Sequence, residues 1–331
     1  MQEQELNSLL EQYDIEASST RKIRGAVLCD TDRGLFLLKE VNVLESKIPA
    51  FFELYEYLHS QGETVDHPLK NKAGEYVSLS EDGGMYMMKH WFSGRECDIR
   101  KAGELLKAAG NLAKLHLLMR REMENPVPEP PCLKDEYRRH NRGMKKIRKF
   151  VRGVSPKGEF EFAFLKCFDR MYGWAVAAQE LLDHSEYDSL YAKSVDAGCM
   201  THGEYNYHNI LVMPGKFQPM AAVNFEKFRQ GIQVEDLYYF LRKVLEKQGW
   251  KERLGDNMLN AYSAIRPISD AEMEYLKLRL VYPEKFWKIA DSYYRSNKAW
   301  ISAKSIEKIS TAIRQTEEKE RFLSNIFSFH L

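Results

Sequence analysis

Glu204 and Asn209 stand five residues apart in Thr201-His202-Gly203-Glu204-Tyr205-Asn206-Tyr207-His208-Asn209, and Ile210-Leu211-Val212 follows directly. A second short run, Ala222-Val223-Asn224-Phe225-Glu226, comes next. An acidic proton acceptor five residues before an amide metal ligand, with a further metal ligand on the next strand, is the layout of a phosphoryl-transfer centre. Glu204 is the candidate base. Asn209, Asn224 and Glu226 are the candidate magnesium ligands. Glu226 is two residues beyond Asn224 and so shares its strand face. An Asp is the usual residue at both 204 and 224. A glutamate carries its carboxylate one methylene further out, and a misplacement of about 1 Å can cost roughly 100-fold in rate. An asparagine at 224 removes a negative charge beside a divalent ion, which prefers carboxylate oxygens. His202 reads as a structural residue that packs inward.

Lys39 lies in Leu37-Leu38-Lys39-Glu40-Val41, a strand pattern with a helix after it. That is a position from which a lysine grips the α- and β-phosphates of ATP. Its helix partner is open between Glu45, Glu53 and Glu56, because the position expected for it holds Phe51. No G-x-G-x-x-G occurs; Lys22, Arg24 and Gly25 are the nearest substitutes for a phosphate-covering loop. Tyr86-Met87-Met88-Lys89-His90-Trp91 reads either as a hinge against adenine, with Lys89 and Trp91 as cofactor-side candidates, or as a buried edge strand.

These residues need a scaffold, and periodicity supplies one. A hairpin is expected over 21–41, with strands Ile23–Cys29 and Leu35–Val41, then a helix over Ser46–Ser60 ended by Gly62. Short strands follow at Tyr76–Leu79 and Met85–Met88. Helical patterns cover Gly103–Met119, 134–152, 160–182, Val234–Gln248, Trp250–Ile265, Asp270–Leu280 and Lys304–Leu323. Asp236 reads as the N-cap of one of them. The basic run from Arg138 to Arg152 reads as a solvated face or an anion-binding surface. The aromatic group Tyr282, Phe286, Trp287, Tyr293, Tyr294 and Trp300 reads as core or as a sugar cleft. The expected organisation is α+β and bilobal: a small mixed lobe over 1–90, and a helical lobe over 91–331 that holds the catalytic loop region 199–228.

The chain has 331 residues, with 49 Lys+Arg against 48 Asp+Glu, a charged fraction of 29% and an aromatic fraction of 12%. That is an ordered globular composition without global steering toward nucleic acid or membrane. Cys29, Cys97, Cys132, Cys167 and Cys199 are dispersed with no CxxC, so buried free thiols in a reducing compartment are expected. No apolar signal core or span-length run is present, and synthesis in the cytoplasm is expected.

The catalytic segment resembles the aminoglycoside/choline phosphotransferase group, and more narrowly the CotS family of spore coat proteins. The resemblance is carried by Trp91-Phe92-Ser93-Gly94-Arg95, by His202-Gly203 with His208-Asn209-Ile210-Leu211, and by Asp236-Leu237-Tyr238. It continues through Arg266-Pro267-Ile268-Ser269, Tyr282-Pro283-Glu284-Lys285 and Ser296-Asn297-Lys298-Ala299-Trp300. It implies a kinase-like fold and a place in the spore coat among other coat proteins. ATP and magnesium are the implied cofactors. Glu204 and Asn224 depart from the family's Asp residues, so the expectation is a coat protein whose phosphotransfer is weak or lost. The alternative is an active ATP-dependent kinase of a small hydroxyl compound or sugar.

Overall fold

The computed structural model describes residues 3–23, 25–41, 43, 45–296 and 303–330. Arg24 and residues 297–300, which were singled out above, lie outside them. The chain divides into two compact units, Met1–Pro128 with Ala197–Gln230, and Glu129–Asp196 with Gly231–Leu331.

The first unit opens with α1 (Glu3–Glu11), then β1 (Ala17–Ile23), β2 (Ala26–Thr31) and β3 (Gly34–Glu40). Helix α2 (Ile48–Ser60) follows, then β4 (Ser78–Leu79) and β5 (Met85–His90). The strands form one antiparallel sheet in the order β1-β2-β3-β5-β4. The single strand expected over Ile23–Cys29 is broken near Gly25, whose φ of 76° turns the chain between β1 and β2. Helix α1 with Leu6, Leu9 and Leu10, and the turn after it with Tyr13, packs against Val27, Phe36, Leu38 and Met88, closing one face of the sheet. Burying an apolar side chain of this size is worth roughly 1.5–3 kcal/mol. The other face carries Leu37 and Lys39 on β3 opposite Lys89 and Met87 on β5. The unit is completed by β6 (Arg95–Glu96), α3 (Ala102–Leu118), β7 (Met200–Thr201), β8 (Ile210–Val212), β9 (Met220–Ala222) and β10 (Arg229–Gln230). Strands β6-β8-β9 make a small sheet, and β10 pairs with β7.

The second unit is helical. It runs through α4 (Leu133–Gly153), α5 (Glu159–His184), α6 (Tyr187–Asp196), α7 (Val234–Gln248), α8 (Glu252–Ser263) and α9 (Asp270–Val281). It ends with α10 (Glu284–Arg295), α11 (Ala303–Arg314) and α12 (Thr316–Phe327). The long helix expected over Lys304–Leu323 is two helices that meet at Gln315. The cap of α7 is Gln233; Asp236 is its third residue and is buried. The aromatic group belongs mainly to the core: Tyr282 stacks on Tyr137 and Phe286 on Phe164, while Tyr294 is exposed. The described cysteines are free thiols, all buried except Cys132. No described helix is long and apolar enough to cross a membrane.

Candidate functional site

All the residues singled out for chemistry lie in the first unit. The loop holding Glu204 is shaped by a glycine and a histidine. Gly203 has φ of 80°, and a Cβ there would lie 1.9 Å from the Lys227 carbonyl oxygen, so only glycine fits. His202 is fully buried, with Nε2 3.0 Å from the Val223 carbonyl oxygen. Its Nδ1 accepts from the Glu204 backbone N–H at 3.2 Å, which sets the tautomer with the proton on Nε2. His202 thus ties the loop to the strand end before Asn224, the structural role expected for it.

Asn206 and Asn209 both donate from Nδ2 to the Glu204 carbonyl oxygen at 2.9 Å. That closes the five-residue loop on itself and points the Asn209 amide oxygen toward residue 224. Asn224 adopts φ of 67°, and its Nδ2 donates to Asn209 Oδ1 at 3.0 Å. Lys39 Nζ donates to Asn224 Oδ1 at 2.9 Å and to Glu226 Oε1 at 2.8 Å. Lys39, Asn209, Asn224 and Glu226 are therefore one connected cluster, although they come from distant parts of the chain.

Lys89 joins that cluster from below. Its Nζ is fully buried and donates to Tyr55 Oη at 3.0 Å, Asp66 Oδ2 at 3.0 Å and Glu226 Oε1 at 2.9 Å. Tyr55 Oη donates in turn to Asp66 Oδ1 at 2.8 Å. The Asn224 backbone N–H donates to Asp66 Oδ2 at 3.0 Å. Two ammonium groups thus face two carboxylates; the Lys89 and Asp66 side chains are fully buried, while Lys39 and Glu226 are 21% and 12% exposed. Burial works to raise the Glu226 carboxyl, but Lys89 and Lys39 outweigh it and hold it down at about 2. Burial works to lower the Lys89 ammonium, but Asp66 and Glu226 outweigh it and hold it above its ordinary value.

Of the three candidate helix partners of Lys39, Glu53 and Glu56 are engaged or exposed elsewhere, and the Glu45 side chain lies outside the described residues. Phe51 sits edge-on to Tyr55, with ring centroids 4.9 Å apart, and Lys89 Nζ lies 5.5 Å from its ring centre. Glu53 instead accepts the backbone N–H groups of Glu124 and Asn125 at 2.8 and 3.0 Å. Glu56 is exposed. Among the described residues the carboxylate that pairs with Lys39 is Glu226, which lies in the turn after β9 rather than on the strand face expected for it and Asn224. Asp66 and Tyr55 were not legible as site residues: Asp66 sits in a connection with no motif, and Tyr55 reads as one apolar position of a helix.

A cavity of about 800 Å³ opens beside the cluster. Lys39, Glu204, Asn209, Asn224 and Glu226 line its polar side. Leu28, Leu35, Leu37, Leu211 and Trp91 line an apolar side, and Trp91 packs on Leu211, Ala221 and Val223. An apolar slot with a lysine at its end suits a flat heteroaromatic ring that carries phosphates. Lys89 does not line the cavity; it supports Glu226 from beneath. Glu204 Oε2 lies 3.0 Å from Lys227 Nζ.

The donor set fits a divalent cation poorly. The Asn209 and Asn224 oxygens are neutral and already accept hydrogen bonds, and Glu226 carries two ammonium groups. Among the described residues, no group of three or more His, Cys, Asp or Glu side chains is placed to hold a metal ion.

Comparison with solved structures shows the fold. An aminoglycoside phosphotransferase from Alicyclobacillus acidocaldarius subsp. acidocaldarius DSM 446 matches with a TM-score of 0.87 at 16% identity, over 97% of this chain and 95% of that one. Spectinomycin phosphotransferase APH(9)-Ia in its AMP-bound complex matches with a TM-score of 0.67 at 12% identity, over 100% of both chains. Amicoumacin kinase hAmiN in complex with AMP-PNP, Ca2+ and Ami matches with a TM-score of 0.62 at 15% identity, over 97% and 94%. The architecture is accordingly the α+β, kinase-like one expected. Spore coat protein S of Bacillus subtilis (strain 168) is 22% identical over 316 residues, 90% of this chain and 85% of that protein. The model of one family matches residues 6–326, nearly the whole chain, and the protein belongs to that family, "Spore coat putative kinase YutH".

Proposed function

We propose that this protein is a spore coat component that keeps a kinase-like nucleotide cleft while its phosphotransfer is weak or lost. The observation that carries the reading is the bond from Asn224 Nδ2 to Asn209 Oδ1 at 3.0 Å. The two ligand positions of the phosphoryl-transfer layout satisfy each other, and Lys39 occupies the remaining Asn224 oxygen. Nucleotide binding is retained in this reading. An ammonium has three donors, two of which Lys39 spends on Asn224 and Glu226, leaving one for a phosphate. Trp91 and the leucines beside it take the base, and bound ATP supplies a transferable phosphoryl group. The protein is made in the cytoplasm and joins other coat proteins, with residues 1–90 as the small kinase-like lobe and 91–331 as the larger one.

A second reading is an active ATP-dependent kinase of a small hydroxyl compound or sugar. It is favoured by Glu204, which lines the same cavity as Lys39 and is the carboxylate placed to take a hydroxyl proton. A thermal-shift titration with ATP, with and without magnesium, together with ATP turnover, separates the two. The first reading expects stabilisation of roughly 2.7 kcal/mol at 100 times the dissociation constant, with or without the metal. A strict magnesium requirement with turnover of about 1–100 per second establishes the second. No stabilisation under either condition removes nucleotide from both.

A further inference from the structure

Helix α4 divides its residues cleanly between two faces. Leu133, Tyr137, His140, Met144, Ile147 and Val151 recur every three or four residues and are buried. Arg138, Arg142, Lys145, Lys149 and Arg152 recur with the same period on the opposite side, and all are exposed. Arg139 and Lys146 flank that row and are exposed as well. From residue 138 to residue 152 the row runs about 21 Å at 1.5 Å per residue.

The flank toward α5 is already matched by carboxylates. Asp183 approaches Arg138 at 3.6 Å, and Asp169 approaches Arg148 at 2.8 Å. Asp135 also reaches Arg138, at 3.5 Å. Arg142, Lys146, Lys149 and Arg152 carry no ion pair among the described residues. Like charges crowded at helical spacing repel one another. A row of this length is therefore under electrostatic load that a matching anionic partner relieves.

We propose that the exposed face of α4 docks an acidic segment of a partner protein, independently of the cleft. The spacing fits. Rungs three or four residues apart on a helix lie about 4.5–6 Å apart along the axis, and same-face side chains of an extended peptide lie about 7 Å apart. A run of about six or seven residues rich in Asp and Glu spans the row. The chemistry of the row disfavours other polyanions. Phe150 beside the row is half-buried and packs edge-on against Tyr294, and Tyr172 under Lys145 is stacked on Phe168, so neither ring is a free platform on which bases stack. The apolar side chains of the stretch are buried (Met144, Ile147, Val151) or half-buried (Phe150) and so do not stand out to enter a bilayer interface. The chain's isoelectric point of about 7.6 is below the basic values typical of nucleic-acid-binding domains.

The test is anisotropy of labelled deca-glutamate with the full chain at 50 and 200 mM salt. Competitors are a DNA duplex of equal charge and phosphatidylglycerol vesicles. The expected result is salt-sensitive binding that weakens at least tenfold in the variant Arg142→Gln/Lys146→Gln/Lys149→Gln/Arg152→Gln. Neutralising as many exposed lysines elsewhere (Lys114, Lys193, Lys216 and Lys251, each to Gln) should change it less than twofold. Shortening the peptide below about six residues should also weaken it. If the fourfold variant does not fold, the half variants Arg142→Gln/Lys146→Gln and Lys149→Gln/Arg152→Gln are each expected to lose at least threefold. Equal loss in the control set, no binding of deca-glutamate by the wild type, or tighter binding of duplex or vesicles each overturns the proposal.

Discussion

Lys89 Nζ and Asp66 Oδ2 lie 3.0 Å apart with both side chains fully excluded from water. The pair stands under the candidate cleft and is bridged by Tyr55, so it fixes the height at which Glu226 meets Lys39. Removing one partner of a buried pair leaves an uncompensated charge, a cost of about 3–5 kcal/mol. Asp66→Asn should therefore destabilise the protein by about that much in urea unfolding. The double variant Asp66→Leu/Lys89→Met should cost less than the sum of its two single changes. Additivity in that cycle would show that the pair is not coupled.

Glu226 gives the cluster a pH dependence. Its carboxyl is held at about 2 against an ordinary 4.5, so the folded chain favours the ionised form. The resulting stabilisation is fully present above about pH 4.5 and is lost as pH falls from there toward 2. It amounts to about 3 kcal/mol for a shift of this size. Denaturant unfolding between pH 6 and pH 3 should show the decline. Glu226→Gln should flatten that part of the profile; an unchanged slope would remove Glu226 as its source.

Restoring the usual acids should restore chemistry. Asn224→Asp removes the donor that binds Asn209 and places a second carboxylate beside Lys39. Glu204→Asp shortens the base by one methylene. The double variant should turn over ATP faster than either single variant, because a positioned base contributes on the order of 10²–10⁴-fold only when the phosphate is held in line. A folded, ATP-binding double variant with no turnover would place the defect elsewhere in the site.

Gly203→Ala should unfold the loop before it touches any ligand. The new Cβ meets the Lys227 carbonyl oxygen at 1.9 Å, and the backbone stays at φ of 80°. Backbone strain alone costs of order 1–3 kcal/mol. A loss above about 2 kcal/mol is expected in thermal unfolding, and a variant as stable as the wild type would mean that the loop can shift.

The chemical layout was legible because it is local. Glu204 and Asn209 are separated by one loop, and Lys39 sits in a strand pattern that a hairpin turn announces. Helices α5, α7, α8 and α9 of the second unit follow from apolar spacing, and α7 spans Val234–Gln248 as that spacing predicts, whereas α6 and α10 are not read from it. Helix α1 carries the same period at Leu6, Leu9 and Leu10, in a segment too short to stand out before the sheet it covers is known. In the sequence the helix partner of Lys39 stays open between Glu45, Glu53 and Glu56, with Phe51 at the position expected for it. Which carboxylate takes over is a tertiary matter. Glu226 reaches Lys39 across 187 residues, and Asp66 reaches Lys89 from a connection without any pattern. Ion pairing depends on distance and burial, and chain order encodes neither. The residue types therefore determined the kind of site by themselves, and only the fold decided that its lysines and carboxylates would be engaged with one another.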